Sequence, residues 1–331
     1  MTQATILCFE DALATSIIGI SDLLGYCGVT WNYINREALS PRFEVMLASR
    51  DSAPVQCVNG IRLDTHQSLS NWTPTEIVIV PTIGGNISKC LENNPDIIDY
   101  LIRAHEQGSL VASNCTGAFF LAEAGLLDGK EATTHWGFTQ QFTDRYPLVD
   151  LKPEKLLTRS GNILCSAGGH ACFDMGLYLI ERYHGREQAI QSSKSFVLDM
   201  GRQRQLTYSP LETAKHHRDD LVRNVQCLLE ENYQERLSLS EVANTTGLSE
   251  RTLLRRFKRA TGDSPSAYLQ LVRLEKARQL LELSDLSVAE IVLAVGYEDV
   301  SSFTKLFKRK TGLNPGQYRD RYGARFRVDY E

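Results

Sequence analysis

The sequence lacks several features that would define a function at once. Its eight cysteines form no Cys-x-x-Cys pair and no Cys/His cluster at zinc-finger spacing, which argues against a local zinc site and for a reducing compartment. No Gly-x4-Gly-Lys-Ser/Thr motif is present, which argues against a P-loop. No basic leader or long apolar run is present either, so we expect a cytoplasmic protein without membrane contact. We expect neither a metal nor a cofactor.

Positive charge is scarce in the chain as a whole. The 331 residues carry 36 Lys and Arg against 40 Asp and Glu, a formal net charge of −4. The charge is uneven, since residues 216–331 carry 19 Lys and Arg against 17 Asp and Glu, whereas residues 1–215 carry 17 against 23. The length predicts two or three domains, and the charge predicts that the last third is a separate, mildly basic one.

The basic part contains a degenerate repeat. The segment Leu239–Pro265 returns as Leu286–Pro315, and Phe257-Lys258-Arg259 recurs as Phe307-Lys308-Arg309. A Thr-Gly pair follows each basic triplet, and an x-x-Pro terminator follows the pair. Two copies of one helical unit that end in basic residues are typical of a protein that contacts duplex DNA at two places.

Each copy has the pattern of a helix-turn-helix. In the first copy Gly247 makes the turn, Ser249 caps the second helix, and Leu253 and Phe257 lie four residues apart on its inner face. The corresponding residues of the second copy are Gly296, Phe303 and Phe307. A helix predicted over Ser266–Leu283 joins the two units rigidly.

The outer faces of the second helices carry side chains suited to DNA. The residues expected to read base edges are Arg251, Leu254, Arg255, Val300, Ser301, Thr304 and Lys305. The residues expected to contact phosphates are Lys258, Arg259, Lys308, Arg309 and Lys310. Arginine forms bidentate hydrogen bonds with guanine, and an apolar side chain can contact a thymine methyl group. Ordinary solvated helix faces are the simpler explanation for one copy, but two matching copies argue against it.

At these residues the chain resembles the AraC family of transcription regulators, over residues 219–322. The motifs are A-x3-GLS and FKR-x-TG-x-SP in the first copy, R-x3-A-x2-LL at Arg273–Leu281, and VGYED-x-SSF and FKRKTG-x-NP-x-x-YR in the second. The resemblance implies that each second helix enters a major groove, one helical turn apart on one face of the DNA. One departure is Val292, where the family usually has alanine; we expect a shift in packing there and no loss of fold.

The first 190 residues alternate strand and helix patterns, which predicts a flavodoxin-like α/β domain with a parallel sheet ahead of the all-α tandem helix-turn-helix domain. The predicted strands are Ala4–Phe9, Phe43–Ala48, Ile77–Pro81, Leu110–Ser113 and Ile163–Cys165. The predicted helices are Ile17–Cys27, Pro95–Gln107, Gly117–Ala124, Gly137–Arg145 and Ala171–Tyr183. We divide the chain into an α/β domain over residues 1–196, a linker over 197–218 and a DNA-binding domain over 219–331.

A cysteine lies in a predicted strand-turn-helix of the α/β domain. Cys115 stands just before the helix expected near Gly117, where unpaired amides and the helix dipole favour a thiolate. His135, expected at the end of the next strand, is a candidate base, and the amides of Gly84 and Gly85 are candidate oxyanion donors. The alternative is a small residue that fills a tight turn beside an unrelated histidine.

The surrounding sequence resembles the PfpI/ThiJ-type, glutamine-amidotransferase-like superfamily over residues 4–190. The match rests on the Cys-Thr-Gly-Ala elbow with LAEAGLLDG, on the THW segment, and on SAGGHACFDMGLYLIE at Ser166–Glu181. Enzymes of this superfamily usually carry a carboxylate at the start of the first helix, where this chain has Ala14-Thr15-Ser16-Ile17. The resemblance, joined to the AraC-type part, implies a regulator whose α/β domain acts as a sensor.

The sequence thus predicts a sequence-specific regulator that binds double-stranded DNA and is not an enzyme. The expected effector pocket comprises Gly84, Gly85, Cys115, Thr116 and His135. Related regulators suggest an amino acid or amine as effector, a homodimer through the α/β domain, and contact with RNA polymerase. Two alternatives stay open: a Cys-dependent hydrolase or hydratase fused to a DNA-binding module, and a redox or electrophile sensor based on Cys115.

Three aromatic residues and a histidine pair give weaker signals. Trp31, Tyr33 and Trp72 could line a pocket but are more typical of a core or interface. The His216-His217 pair near the linker is more typical of solvated residues than of a metal site.

Overall fold

The protein is described by a computed structural model that covers residues 1–71, 75–201, 205, 208 and 219–323. The chain divides into two compact units, Met1–Gln205 and Leu206–Glu331. Most of the predicted linker, together with Trp72 and the His216-His217 pair, lies outside the described residues. Within the part of the chain that is described, no helix combines the length and the apolar character needed to cross a membrane.

The first unit is built on a seven-stranded sheet. Its described strands, with four short ones outside the sheet, are β1 (Thr2–Leu7), β2 (Phe43–Ser49), β3 (Val55–Gln56), β4 (Arg62–Leu63), β5 (Gln67–Ser68), β6 (Ile77–Val80), β7 (Leu110–Asn114), β8 (Glu131–Ala132), β9 (Asp150–Leu151), β10 (Leu157–Ser160) and β11 (Ile163–Ser166). The sheet order is β10-β11-β7-β6-β1-β2-β5, and every pair is parallel except β10 with β11. All five predicted strands are confirmed within one or two residues at each end.

Seven helices accompany the strands in the described part of the first unit. They are α1 (Ala14–Gly25), α2 (Thr30–Ile34), α3 (Ile87–Asn93), α4 (Pro95–Glu106), α5 (Ala118–Glu123), α6 (Thr139–Arg145) and α7 (Ala171–Ser195). Helix α1 packs against α7, and α4 packs against α5. Right-handed crossovers place these two pairs on opposite faces, because the chain moves one way from β1 to β2 and the other way from β6 to β7. The flavodoxin-like fold class is confirmed.

Four helix predictions need correction at their ends. Helix α1 starts three residues before the predicted Ile17. Helix α7 continues twelve residues past the predicted Tyr183, through a kink at Gly185, where φ is 86°. The elbow and the THW segment each begin with a turn of 3₁₀-helix, at Cys115–Gly117 and Trp136–Phe138, before α5 and α6 start. Periodicity fixes a helix's apolar face better than its ends, which depend on caps.

The second unit is helical throughout its described residues. Its helices are α8 (Asp220–Glu231), α9 (Leu239–Thr246), α10 (Glu250–Thr261), α11 (Pro265–Leu283), α12 (Val288–Ala294), α13 (Val300–Thr311) and α14 (Pro315–Tyr322). Helix α11 is the connecting helix predicted over Ser266–Leu283. Its first half contributes Tyr268, Leu269 and Val272 to one hydrophobic core, and its second half contributes Leu274, Ala277 and Leu281 to another.

The two cores repeat each other, as the sequence repeat predicts. Phe257 packs edge to face on Tyr268 in the first core, and Phe307 packs on Tyr318 in the second, with ring centroids 5.6 and 5.4 Å apart. Val292 is fully buried in the second core, so its larger side chain is accommodated there. Each repeat therefore has a folded core that presents its own second helix.

Candidate functional site

Helix α10 is presented as a recognition helix by local signals. Helix α9 ends at Gly247 in the left-handed conformation (φ 67°), and the Ser249 hydroxyl accepts a hydrogen bond from the Thr252 amide at the start of α10. Leu253 and Phe257 are fully buried, as predicted. The inner face of α10 is therefore buried in the core, and the opposite face is exposed and can contact a partner.

That opposite face carries all the residues expected to touch DNA in the first copy. Arg251, Leu254, Arg255, Lys258 and Arg259 are all exposed. An open groove is lined by Glu250, Arg251, Leu254, Arg255, Lys258 and Ser264. The groove combines positive charge with an apolar side chain, since Leu254 is 37 % exposed. Such a surface has the donors that guanine edges and phosphates accept and an apolar group for a thymine methyl.

Glu250 is a groove residue that the sequence analysis missed. A glutamate in the first turn of a helix is common, because it stabilises the helix dipole, and so its sequence position carries no functional signal. A carboxylate in a DNA groove can accept a hydrogen bond from the amino group of cytosine.

Helix α13 repeats the arrangement with a different cap. Asp299 accepts hydrogen bonds from the amides of Ser301 and Ser302, at 3.1 and 2.9 Å. The pKa of its carboxyl lies below the usual value because of a hydrogen bond from the Ser302 hydroxyl and these two amide bonds. Phe303 and Phe307 are fully buried, as predicted. The expected base readers Val300, Ser301 and Lys305 are exposed and Thr304 is half-buried, while Lys308, Arg309 and Lys310 are exposed in the last turn.

The two helix-turn-helix units are fixed to each other by more than α11. Arg273 donates hydrogen bonds to the carbonyl oxygens of Tyr233 and Glu235, at 2.6 and 2.8 Å, in the loop between α8 and α9. Its guanidinium also lies over the ring of Tyr297, in the turn of the second helix-turn-helix. Gly296 of that turn comes so close that a Cβ there would lie 2.6 Å from the Gln234 carbonyl oxygen. The spacing of the two recognition helices is thus built in.

The cysteine elbow lies at the carboxyl edge of the parallel sheet in the first unit. Cys115 follows β7 with a φ of 57°, in the left-handed region that favours glycine. Its neighbour Gly117 approaches the sheet closely, since a Cβ there would lie 2.5 Å from the Pro81 carbonyl oxygen. The loops after β1, β6 and β7 meet at this edge, and the strand order reverses between β1 and β6. In open α/β sheets this is where ligands bind.

Hydrogen bonds bring the predicted pocket residues together. Thr116 Oγ1 donates to the Ile83 carbonyl at 2.8 Å, next to Gly84, and Thr134 Oγ1 donates to the Cys115 carbonyl at 2.9 Å, next to His135. The Gly84 amide donates to the Asp11 carbonyl at 2.8 Å, so the expectation that it faces an oxyanion is corrected. A Cβ on Gly85 would meet the Asp11 side chain at 2.9 Å.

The expected stabilisation of a Cys115 thiolate is wrong in sign. Burial raises the pKa of the Cys115 thiol, and hydrogen bonds from Thr116, Thr82 and the Gly169 amide offset this only in part. No charged side chain is among the groups that shift this pKa. Ser16 stands at the start of α1, where the enzymes carry an acid, and its hydroxyl donates to the Leu13 carbonyl at 2.8 Å. Burial outweighs the helix dipole here, because Cys115 is only 4 % exposed.

His135 is held neutral beside the elbow. It lies three residues after the next strand, β8, close to the predicted position, and β8 pairs with β9 in a two-stranded sheet apart from the main one. Its Nδ1 accepts a hydrogen bond from the Gly137 amide at 3.0 Å, and burial lowers its pKa. A neutral imidazole that accepts at Nδ1 carries its proton on Nε2. Neither ring nitrogen is then available to take a proton from Cys115.

A further residue at this edge was missed by the sequence analysis. Gln205, near the end of the first unit, is 2 % exposed and its side chain bonds to the backbone on both sides of His135. Nothing in the local sequence signals this, because the partners lie about seventy positions away.

Comparison with known proteins identifies both units. The DJ-1/PfpI family matches residues 28–182, and a family described as a helix-turn-helix domain matches residues 242–321. The HTH-type transcriptional regulator CdhR of Pseudomonas aeruginosa is 33 % identical over 82 % of this chain and 80 % of its own length. The regulator GbdR of the same species is 30 % identical over 81 % of this chain and 72 % of its own. Drosophila melanogaster DJ-1beta shares the fold, with 19 % identity and a TM-score of 0.50 over 60 % of this chain and 98 % of its own.

The fold, the two recognition helices and these similarities define a DNA-binding transcriptional regulator. The chain belongs to the AraC-type regulators that carry an N-terminal DJ-1/PfpI domain. The relatives that establish this are named as transcriptional regulators and not as enzymes.

Proposed function

We propose that the α/β domain of this regulator binds a small effector at the cysteine elbow and that occupancy of this site controls DNA binding. The proposed site comprises Gly84, Gly85, Cys115, Thr116 and His135. It is supported by the position of the elbow at the carboxyl edge of the sheet, where three loops meet and the strand order reverses. In this proposal residues 1–196 are the sensor and residues 219–331 read DNA.

One observation favours a sensor over a catalyst at this site. Burial raises the thiol pKa of Cys115. His135 accepts the Gly137 amide at Nδ1 and so carries its proton on Nε2, and burial lowers its own pKa. A nucleophilic cysteine needs a thiolate, and an acid–base pair needs a free base. The same burial argues against a redox or electrophile sensor, since oxidation also proceeds through an exposed thiolate.

The effector class that fits is an amino acid or amine. The His135 ring lies beside Trp136 and Phe138, with ring centroids 4.9 and 5.8 Å away. Phe138 is 37 % exposed, so part of an aromatic ring is open to solvent next to His135. Aromatic faces attract ammonium groups, which amines and amino acids share.

A thermal-shift screen of the intact protein tests this proposal. The probes are amino acids, amines and their breakdown products, with the Phe138→Ala variant as a matched control. We expect a ligand that raises the melting temperature of the wild type, raises that of the variant less, and is recovered chemically unchanged. A ligand that is consumed during incubation would instead support the hydrolase or hydratase. A panel with no stabilising member would contradict a sensor for this class of ligand.

In the DNA-binding part, we propose that α10 and α13 enter successive major grooves on one face of the duplex. Arg251, Leu254 and Arg255 are then the base readers of α10, and Val300, Ser301, Thr304 and Lys305 are those of α13. Lys258, Arg259, Lys308, Arg309 and Lys310 contact phosphates in this proposal. It is supported by the exposure of these faces and the fixed spacing of the two units. Selection from a random duplex library should return a site with two conserved blocks about one helical turn apart.

We also propose a cytoplasmic homodimer that pairs through the α/β domain and contacts RNA polymerase. The dimer is supported by apolar side chains that α1, α2 and the loops beside them leave in solvent, Tyr26, Tyr33, Ile34 and Leu39, which are 53, 76, 63 and 56 % exposed. Sedimentation of the full chain tests it: the wild type should be a dimer and the Tyr33→Asp/Ile34→Asp double variant a monomer. A wild type that sediments as a monomer at micromolar concentration would contradict the dimer.

A further inference from the structure

Gln205 is bonded to the segment that contains His135, and it stands where the chain leaves the first unit. It is the last residue of the first unit and is 2 % exposed. Its side-chain Nε2 donates to the carbonyl oxygens of Thr134 and Pro153, at 2.7 Å each, and its Oε1 accepts from the Trp136 amide at 3.2 Å. Its own amide donates to the Glu154 carbonyl at 3.2 Å. One side chain thus satisfies three backbone groups.

These contacts lie one residue from the elbow. Thr134 and Trp136 are the two neighbours of His135, so Gln205 holds the peptide on each side of it. Thr134 also donates its hydroxyl proton to the Cys115 carbonyl at 2.9 Å. An unbroken series of hydrogen bonds therefore runs from the elbow through the His135 segment to Gln205.

The Gln205 arrangement is sensitive to small displacements. A buried side-chain amide costs free energy when its donors and acceptor lose their partners, and a shift of about an ångström breaks bonds of 2.7 Å. The His135 ring has little free space beside Gly168, since a Cβ on Gly168 would lie 2.8 Å from its Cδ2. A group that displaces His135 therefore also displaces the two peptides beside it, which Gln205 holds.

We infer that Gln205 is the coupling residue of this regulator: movement of the His135 segment breaks its hydrogen bonds and so releases the last residue of the first unit from the segment that holds it. The inference rests on the proposed function for the source of that movement, an effector at the elbow. It adds the route by which occupancy reaches the DNA-binding unit, through the covalent connection and without a second binding site.

A double-mutant cycle tests the coupling without any effector. Gly168→Ala presses a methyl group on His135, and Gly169→Ala is its matched control, since a Cβ there meets only Leu13, at 3.9 Å. Binding of the full chain to a duplex selected with the wild type is measured for these variants, for Gln205→Ala and for the Gly168→Ala/Gln205→Ala pair. We expect Gly168→Ala to change Kd roughly fivefold or more, Gly169→Ala to leave it unchanged, and Gln205→Ala to abolish the effect of Gly168→Ala. An equal effect of Gly168→Ala in both backgrounds, or no effect in either, would overturn the inference.

A second measurement covers the case in which Gly168→Ala fails to fold. Gln205→Ala should speed the alkylation of Cys115 by iodoacetamide roughly tenfold. Thr134, which bonds to the Cys115 carbonyl, then loses its hydrogen bond from Gln205, so the elbow opens more often. Cys227, which is exposed and belongs to the second unit, should alkylate at an unchanged rate. Equal acceleration at both cysteines, or none at Cys115, would overturn the coupling. Failure of the thermal-shift screen alone would reject the proposed effector and leave these outcomes standing.

Discussion

Arg256 Nε lies 2.7 Å from Oδ2 of Asp219, and this ion pair gives Arg256 a different role from its neighbour Arg255. The other carboxylate oxygen of Asp219 accepts the Val222 amide at the start of α8. Arg256 therefore ties α8 to α10 from the side of the helix, whereas Arg255 points into the open groove. Two adjacent arginines of one basic run thus have different tasks, one in the fold and one on the DNA-facing surface.

The first prediction uses this pair as a matched set. Arg255→Ala should weaken binding to the selected duplex by about 1–3 kcal/mol and relax the preference at one base pair, because a bidentate contact with a base edge is lost. Arg256→Ala should lower the free energy of unfolding of the second unit slightly and leave the base preference unchanged. Binding isotherms on single-base variants of the site make the measurement. An unchanged preference in Arg255→Ala, or an altered one in Arg256→Ala, would reject the assignment.

The second prediction compares the two turn glycines. Both are in the left-handed conformation, with φ of 67° at Gly247 and 78° at Gly296. Alanine costs about 1–2 kcal/mol in that conformation. A Cβ on Gly247 meets nothing within 4 Å, but one on Gly296 would lie 2.6 Å from the Gln234 carbonyl oxygen, which adds about 1–3 kcal/mol of overpacking. In urea, Gly296→Ala should lower the free energy of unfolding well below that of Gly247→Ala. Equal losses in the two variants would show that the two helix-turn-helix copies do not touch at this turn.

The third prediction concerns the reactivity of Cys115. Its thiol pKa is raised, so the fraction of thiolate at pH 7 is lower than for an ordinary cysteine, and the rate of alkylation should climb only as the pH rises above the usual thiol range. At pH 7.5 iodoacetamide should therefore label Cys115 far more slowly than the exposed Cys227. Mass spectrometry of peptides over time measures both rates in one sample. Preferential labelling of Cys115 at neutral pH would restore the enzymatic and redox alternatives.

The fourth prediction concerns backbone strain after α7. Val197 has a φ of 53° and is 91 % exposed, between Phe196 and Leu198, which pack on the core. A β-branched residue in the left-handed region is strained, and asparagine tolerates that region well. Val197→Asn should raise the free energy of unfolding by about 1 kcal/mol. Val197→Thr, which is polar but still β-branched, should gain much less. A similar gain in both variants would assign the effect to solvation.

Much of the fold follows from sequence because its signals are local. Strands such as Ile77–Val80 are continuous apolar runs since both faces of a parallel sheet are covered, and all four of these residues are fully buried. The inner faces of α10 and α13 were predictable from pairs of apolar residues four positions apart. Helices α2 and α3 and the short strands were missed, because elements this short give little periodicity unless a motif or a continuous apolar run marks them, as at α5 and β6.

The residues that meet at the elbow could be predicted from the sequence, but the direction of the pKa shift of Cys115 could not. The sequence shows that Cys115 precedes a helix, which favours a thiolate, but it does not show that the thiol is 4 % exposed. Gln205 gave no signal at all, since its contacts with Thr134 and Pro153 depend on how distant segments meet. The pairing of Arg256 with Asp219 is hidden in the same way. Chemistry set by a local turn can be read from sequence, whereas burial and distant hydrogen bonds cannot.

The fifth prediction separates phosphate contacts from base readers on α13. Lys308 is exposed in the last turn, where the helix dipole favours cations, and Val300 is 38 % exposed at the first residue of the helix. Lys308→Ala should weaken binding to every duplex by the same factor and reduce the slope of log K against log salt by about 1, because one counterion fewer is released. Val300→Ala should leave that slope unchanged and alter the preference for thymine at one position. Titrations at several salt concentrations, on the selected duplex and on a scrambled one, measure both effects. A salt slope that changes for Val300→Ala, or a base preference that changes for Lys308→Ala, would mean that α13 lies in the groove at another angle.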